Sequence, residues 1–224
     1  MDDTGSEFLH VYETLRLDID RVLHPDVSEA EIRNISQYGT GSSLTQSQRR
    51  TVVRGIFALA EATCYFLRVR LLETDGKNSR LTFPQRLALA EQQVEVLSTG
   101  IVSTKTMRCS TIVLIKMTFE GYVDYLKGDF VSPCSQVHFE ALVRSIKVRD
   151  RLMHPKSVTH LEVTNTEMQD AVAAFQWLNV AVLTTVRAHI AFMVSERTKV
   201  EMQLALQNSI APLHQPSRKR PRRL

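Results

Sequence analysis

From Leu44 to Glu73 the chain carries no proline, and its only glycine is Gly55; Val52, Ile56, Leu59, Ala62, Phe66, Leu67 and Val69 recur there at helical spacing. An uninterrupted stretch with so wide an apolar face has to be a long helix buried on more than one side, so other helices must pack around it. The rest of the chain supplies them. A first helix is expected over about residues 6–23, ending at His24-Pro25, and Ser28 can cap a short second one through Tyr38. YGTGSS reads as a loop, and Asp75-Gly76 as the stop of the long helix. Thr82-Phe83-Pro84-Gln85 fits a capping box with Pro in the first turn, opening a helix to about Gln93.

Residues 94–104 fit neither periodicity cleanly. Beyond them Ile112, Ile115, Phe119, Tyr122 and Leu126 step by three and four, and Lys127-Gly128 ends that helix. Ser132-Pro133 should start the next, with Phe139, Leu142, Val143, Ile146 and Met153 inward and Pro155 as its stop. Thr164 and Glu167 form a second capping box for a helix over 165–196, with Met168, Val172, Phe175, Leu178 and Val182 inward. Eight Gly and seven Pro are too few for a turn-rich all-β design. The expected class is all-α: a helical bundle over 44–196, an N-terminal helical extension over 1–43, a helical end and linker over 197–216, and a disordered basic tail over 217–224.

That tail, with Arg218, Lys219, Arg220, Arg222 and Arg223, decides the charge balance. Of the net +4, five charges lie there, leaving the body at 4 − 5 = −1. The basic overall charge therefore describes a tail that can bind RNA phosphates, serve as a nuclear-import signal or simply be a solvated end, and it is no evidence for a nucleic-acid-binding body. Cys64, Cys109 and Cys134 form no paired motif, so neither a disulfide framework nor a zinc site is indicated, and no metal or cofactor is implied. The acidic start MDDTGSEF lacks the apolar region of a secretory signal. Residues 171–186, broken by Gln176, Asn179 and two threonines, look too short to cross a bilayer. A cytoplasmic protein with no membrane partner is expected, or a nuclear one if the tail is an address.

The chemistry concentrates in RDRLMHPK, residues 149–156. With 20 Arg and seven His in 224 residues, an Arg five positions before a His arises by chance about 0.6 times, so spacing alone says little. Context says more. The segment ends an amphipathic helix, Asp150 follows Arg149 directly, and Pro155 follows His154. This pattern of Arg, polar residue, three variable residues and His near a helix end resembles the HEPN superfamily of helical bundles, over roughly residues 44–196. The resemblance implies a metal-independent endoribonuclease, including defence- and toxin-type enzymes, in which Arg149 and His154 are catalytic and Asp150 supports them. It also implies a homodimer, because one motif lacks a second acid or base and two facing motifs supply it.

On a helix, Asp150 and His154 are i and i+4 neighbours, so the carboxylate can orient the imidazole and raise its pKa, while Arg149 lies roughly 140° away around the axis. Arg144, Lys147, Arg151 and Lys156 would widen a positive strip for RNA. An inhibitory or activating protein partner is compatible with such an enzyme. The competing readings are a non-catalytic HEPN-like module that binds protein or RNA, and cations that only answer the dipole in the last turn of a helix. Trp177 reads as core, His160 as a loop residue, and His10, His24, His138, His189 and His214 as surface or satisfied histidines.

Overall fold

A computed structural model describes residues 3–28, 31, 39, 41, 43–78, 80–126 and 130–210. Among them the architecture is all-α with one small hairpin. The elements are α1 (Asp3–Leu23), α2 (Gln46–Asn78), α3 (Phe83–Leu89), β1 (Gln92–Val96), β2 (Val102–Thr106), α4 (Thr111–Leu126), a 3-10 turn at Pro133–Ser135, α5 (Phe139–Met153), a second 3-10 turn at Val158–Leu161, and α6 (Asn165–Ile210). The chain divides into two units, Met1–Thr185 and Val186–Leu224, and the boundary falls inside α6.

In the first unit α2 is the central helix. Val52, Val53, Ile56, Leu59, Ala60, Leu67 and Leu71 are all essentially inaccessible. Burying side chains around so much of its circumference is what a wide apolar face demands, at roughly 1.5–3 kcal/mol of transfer free energy per large side chain. Against it α1 lays Phe8, stacked on Phe66 with centroids 3.6 Å apart, and Ile19, which packs at Gly55, where a Cβ would come within 3.0 Å of it. The Tyr12 hydroxyl donates to Asn179 Oδ1 of α6 at 2.6 Å. α1 is thus built into the core of this unit.

Several boundaries depart from the sequence expectation. α2 runs through Asp75-Gly76 to Asn78, because Asp75 is used as a buried anchor: its Oδ1 accepts from Arg80 N (2.6 Å) and Leu81 N (2.8 Å), turning the chain beyond the helix instead of ending it. The Thr82 box forms as expected, Gln85 Oε1 accepting from both Thr82 N and Thr82 Oγ1 at 2.8 Å. α3 nevertheless stops at Leu89, since Glu91 takes a left-handed φ of 54°, a conformation unusual for a non-glycine residue. Its carbonyl accepts from Met107 N at 2.7 Å and its carboxylate pairs with Arg68 at 3.3 Å.

Residues 92–106 form an antiparallel hairpin with Val96 opposite Val102, where no convincing strand was expected. Gly100, at φ 77°, closes its turn. Ser132-Pro133 starts only a 3-10 turn, and the α-helix begins at Phe139. In α5 the buried stripe is Phe139, Leu142, Ser145, Val148 and Leu152; Met153, expected inward, is 49 % exposed.

The Thr164 box holds, Glu167 Oε2 accepting from Thr164 N at 2.9 Å, and all five expected inward residues of this helix are buried. α6 does not end near 196, however, but continues to Ile210. The helical stretch Val158–Leu204 includes an 18-residue window of mean hydropathy 1.4, of which 22 % is buried. By length and composition it could cross a membrane, and the expectation that the apolar run is too short is corrected on that point. The helix expected from Ser28 to Tyr38 falls largely outside the described residues; at its start, hydrogen bonds from the Ser28 hydroxyl (2.6 Å) and N–H reach Glu31 Oε2 and hold that carboxyl below its ordinary range. The basic tail also lies outside them.

Candidate active site

The motif sits at the C-terminal end of α5. His154 is the residue that leaves the helix: its N–H closes the last turn on Asp150 O at 3.1 Å, but its backbone, at φ −130° and ψ 60°, is no longer helical. The ideal-helix angle between Arg149 and His154 therefore does not apply. Nor does the expected pairing of Asp150 with His154. Asp150 Oδ1 accepts from Arg149 Nη1 at 3.1 Å, and the exposed imidazole has no hydrogen-bonding side-chain partner among the described residues. The physical reason is the cap: once the chain departs from helical dihedrals, i and i+4 side chains need no longer lie one above the other.

Arg149 is held from two sides. Its Nη2 donates to Glu61 Oε1 of α2 at 2.9 Å, and the same carboxylate oxygen accepts from the Thr111 hydroxyl of α4 at 3.2 Å. The guanidinium keeps 28 % of its side-chain surface exposed, so it is positioned but not sealed off. Glu61 was not singled out in the sequence. Neither were Arg54, whose Nη2 donates to Leu152 O at 3.2 Å, and Arg50, whose Nη1 donates to Leu161 O at 3.1 Å. Arg54 satisfies a carbonyl that the end of α5 would otherwise leave without a donor, and Arg50 one at the end of the following 3-10 turn. Arg49, buried deeper, donates to Leu44 O, Val163 O and Asn165 Oδ1, fastening the loop after the motif to the start of α2.

The other expected phosphate contacts divide. Arg144 is paired bidentately with Asp170, at 2.9 and 2.7 Å, joining α5 to α6 with its charge matched. Arg151 donates to Glu162 O at 2.6 Å and to Glu167 Oε2 at 3.1 Å. Lys147 and Lys156 are exposed. The Lys156 N–H donates to His160 Nδ1 at 3.2 Å, which requires the neutral tautomer with its proton on Nε2. Beside Glu61 lies a cavity of about 210 Å³ lined by Cys64, Arg68, Glu91, Thr111, Leu114 and Ile115 as well. Burial pushes the Cys64 thiol up to about 12, so it is a protonated wall group at neutral pH and no nucleophile.

What this arrangement offers is an exposed imidazole at the end of α5 and, five residues earlier in the chain, a guanidinium that α2 holds in place. No family model, curated protein or solved structure matches the chain.

The Glu167 carboxylate couples the motif to the cap of α6. Partial burial raises its pKa, but the Thr164 N–H and the Arg151 guanidinium outweigh that and hold the carboxyl below the ordinary range. A carboxyl whose pKa is lowered by folding stabilises above its unfolded value, and that stabilisation is lost as pH falls through the folded value. Thermal melts from neutral pH down through the carboxylate range, roughly pH 5 to 3, should therefore show Glu167→Gln less stable than wild type at neutral pH, with the difference shrinking on acidification. A constant difference would mean that the charge of Glu167 does not matter.

Proposed function

We propose that this chain is a metal-independent endoribonuclease of the HEPN type, active as a homodimer in the cytoplasm, with RNA as its substrate. The observation that carries the reading is the exposed His154 imidazole, which makes no side-chain hydrogen bond among the described residues, five residues along the chain from the oriented guanidinium of Arg149. An imidazole can both accept and donate a proton in RNA cleavage, and Arg presents paired donors to a phosphate. In the proposed reaction a base removes the 2′-OH proton, the 2′-oxygen attacks phosphorus, and the 5′-oxygen leaves with a proton from an acid, giving a 2′,3′-cyclic phosphate. One His154 cannot serve both ends of that displacement at once, so the reading requires the second copy's motif. Asp150 holds Arg149 from the solvent side, and Lys147, Lys156, Arg50 and Arg54 supply positive potential around the turn.

The test is incubation with mixed RNAs in EDTA. Cleavage should persist, and its products should carry 2′,3′-cyclic phosphates or their opened forms; 5′-phosphate products formed only with added Mg²⁺ would contradict the mechanism. One observation favours the non-catalytic alternative, a binding module of the same shape: Arg149 already meets two carboxylates, Glu61 and Asp150, and could be a purely structural tie between α5 and α2.

The tail has its own prediction. Removing residues 217–224 takes away five positive charges, so RNA affinity should fall and its salt dependence should flatten, while single-turnover cleavage at saturating RNA is kept. Loss of saturated cleavage with affinity unchanged would place the tail inside the active site.

A further inference from the structure

We propose that the helix Val186–Leu204 pairs with the same segment of a second copy of this chain as an antiparallel coiled coil. The described part of the second unit is this one helix. Along it Val186, Ile190, Met193, Arg197, Val200 and Leu204 recur at steps of four and three, the heptad spacing of a coiled-coil seam. The seam is bare: Ile190 is 57 %, Met193 40 %, Val200 54 % and Leu204 54 % exposed. Arg187, Glu196 and Glu201 flank it, Lys199 lies on the outer side, and Arg197 stands within it. Arg187 and the four charges between 196 and 201 oppose burying this whole segment in lipid hydrocarbon.

Charge complementarity selects both the partner and its direction. When the segment is laid antiparallel on its own copy, Val186 faces Leu204, Ile190 faces Val200 and Met193 faces Arg197, each pair occurring twice by symmetry. Arg187 then falls beside Glu201 of the second copy, again twice. The two Glu196 side chains meet near the centre, each offset by an Arg197. A parallel pairing instead stacks Arg197 on Arg197 and sets Glu196 against Glu201 of the other copy, with no opposite charges gained. Glu201 already pairs with Arg197 in its own helix at 2.8 Å, but those side chains are 61 % and 82 % exposed, so that contact exchanges readily. The inference does not rest on the nuclease reading and survives its failure.

Cysteine cross-linking of the full chain tests it. In the antiparallel pair the two Val194 side chains flank the seam opposite each other, whereas the two Val200 side chains are separated. Val194→Cys should therefore give an intermolecular disulfide under mild oxidation that the unsubstituted chain, with its three native cysteines, does not, and Val200→Cys should not. Adding Ile190→Glu should cut the cross-link at least about tenfold, because a carboxylate is driven into the apolar seam, with helicity by circular dichroism unchanged. Charge exchange is the second readout: Arg187→Glu should weaken association, and Arg187→Glu with Glu201→Arg should restore it. Three results would overturn the proposal: no Val194→Cys cross-link at micromolar chain, preferential cross-linking of Val200→Cys, or binding to phosphatidylcholine–phosphatidylserine vesicles that Ile190→Glu abolishes.

Discussion

RNA cleavage by His154→Ala is expected to fall at least about a hundredfold, the scale set by loss of a general acid-base. Arg149→Ala should fall comparably, as for removal of a donor aimed at developing charge. The two variants should differ in stability. His154 makes no side-chain hydrogen bond among the described residues, so its removal should leave the melting temperature unchanged, whereas Arg149→Ala breaks the ties to Glu61 and Asp150. Both ties are partly exposed, and such pairs contribute about 0–1 kcal/mol, too little to unfold the chain and mimic a catalytic loss.

Glu61→Gln separates the remaining readings. If Arg149 binds phosphate, neutralising a competing carboxylate should tighten RNA binding by up to roughly fivefold, the equivalent of about 1 kcal/mol. If Arg149 is only a structural tie, RNA affinity should not change. Full activity in His154→Ala would remove the imidazole from the mechanism.

Much of this site could be read from the sequence, and what was missed has a physical cause. Residues 149–154 stood out because charge and a proline punctuate the end of an apolar stripe. Their partners did not, since Arg50, Arg54, Glu61 and Arg68 lie on the long buried helix, whose pattern is dominated by its apolar face. Yet these four recur at steps of four, seven and seven, which puts them on one side of α2, and a polar row on a buried helix must be answered by partners across the interface. That signal was available. The Asp150–His154 pairing failed for another reason: it assumed helical dihedrals through a residue that caps the helix.

The hairpin escaped because Val94, Val96 and Val102 alternate but point to solvent, at 46 %, 67 % and 66 % exposure, so no buried face enforces the pattern. The capping boxes at Thr82 and Thr164 were legible because both partners lie within one turn. Asp75 was misread as a stop because its hydrogen bonds reach forward to residues 80 and 81, which no local rule anticipates.

The largest loss of stability should come from Trp177, which joins three elements of the core. It is 2 % exposed; its ring meets Phe119 edge-on at 5.7 Å and Phe139 at 5.1 Å, and its Nε1–H donates to Pro133 O at 2.9 Å. Trp177→Ala leaves a cavity between α4, α5 and α6 and should cost about 3–5 kcal/mol. At roughly 2–4 °C per kcal/mol for a chain of this size, the melting temperature should drop by about 6–20 °C. Trp177→Phe keeps most of the packing but removes one of two donors to Pro133 O, which still accepts from Gln136 N at 3.1 Å, so the lost hydrogen bond should cost about 0.5–1.5 kcal/mol. The order Ala, then Phe, then wild type follows because the packing term exceeds the hydrogen-bond term. Circular dichroism is the readout, since both variants lose the chain's single tryptophan. Pro133 begins the turn that leads into α5, at the end opposite His154, so Trp177→Phe should also keep its cleavage rate per folded molecule. Equal losses in the two variants would mean that the hydrogen bond to Pro133, not the aromatic packing, carries the contribution of Trp177.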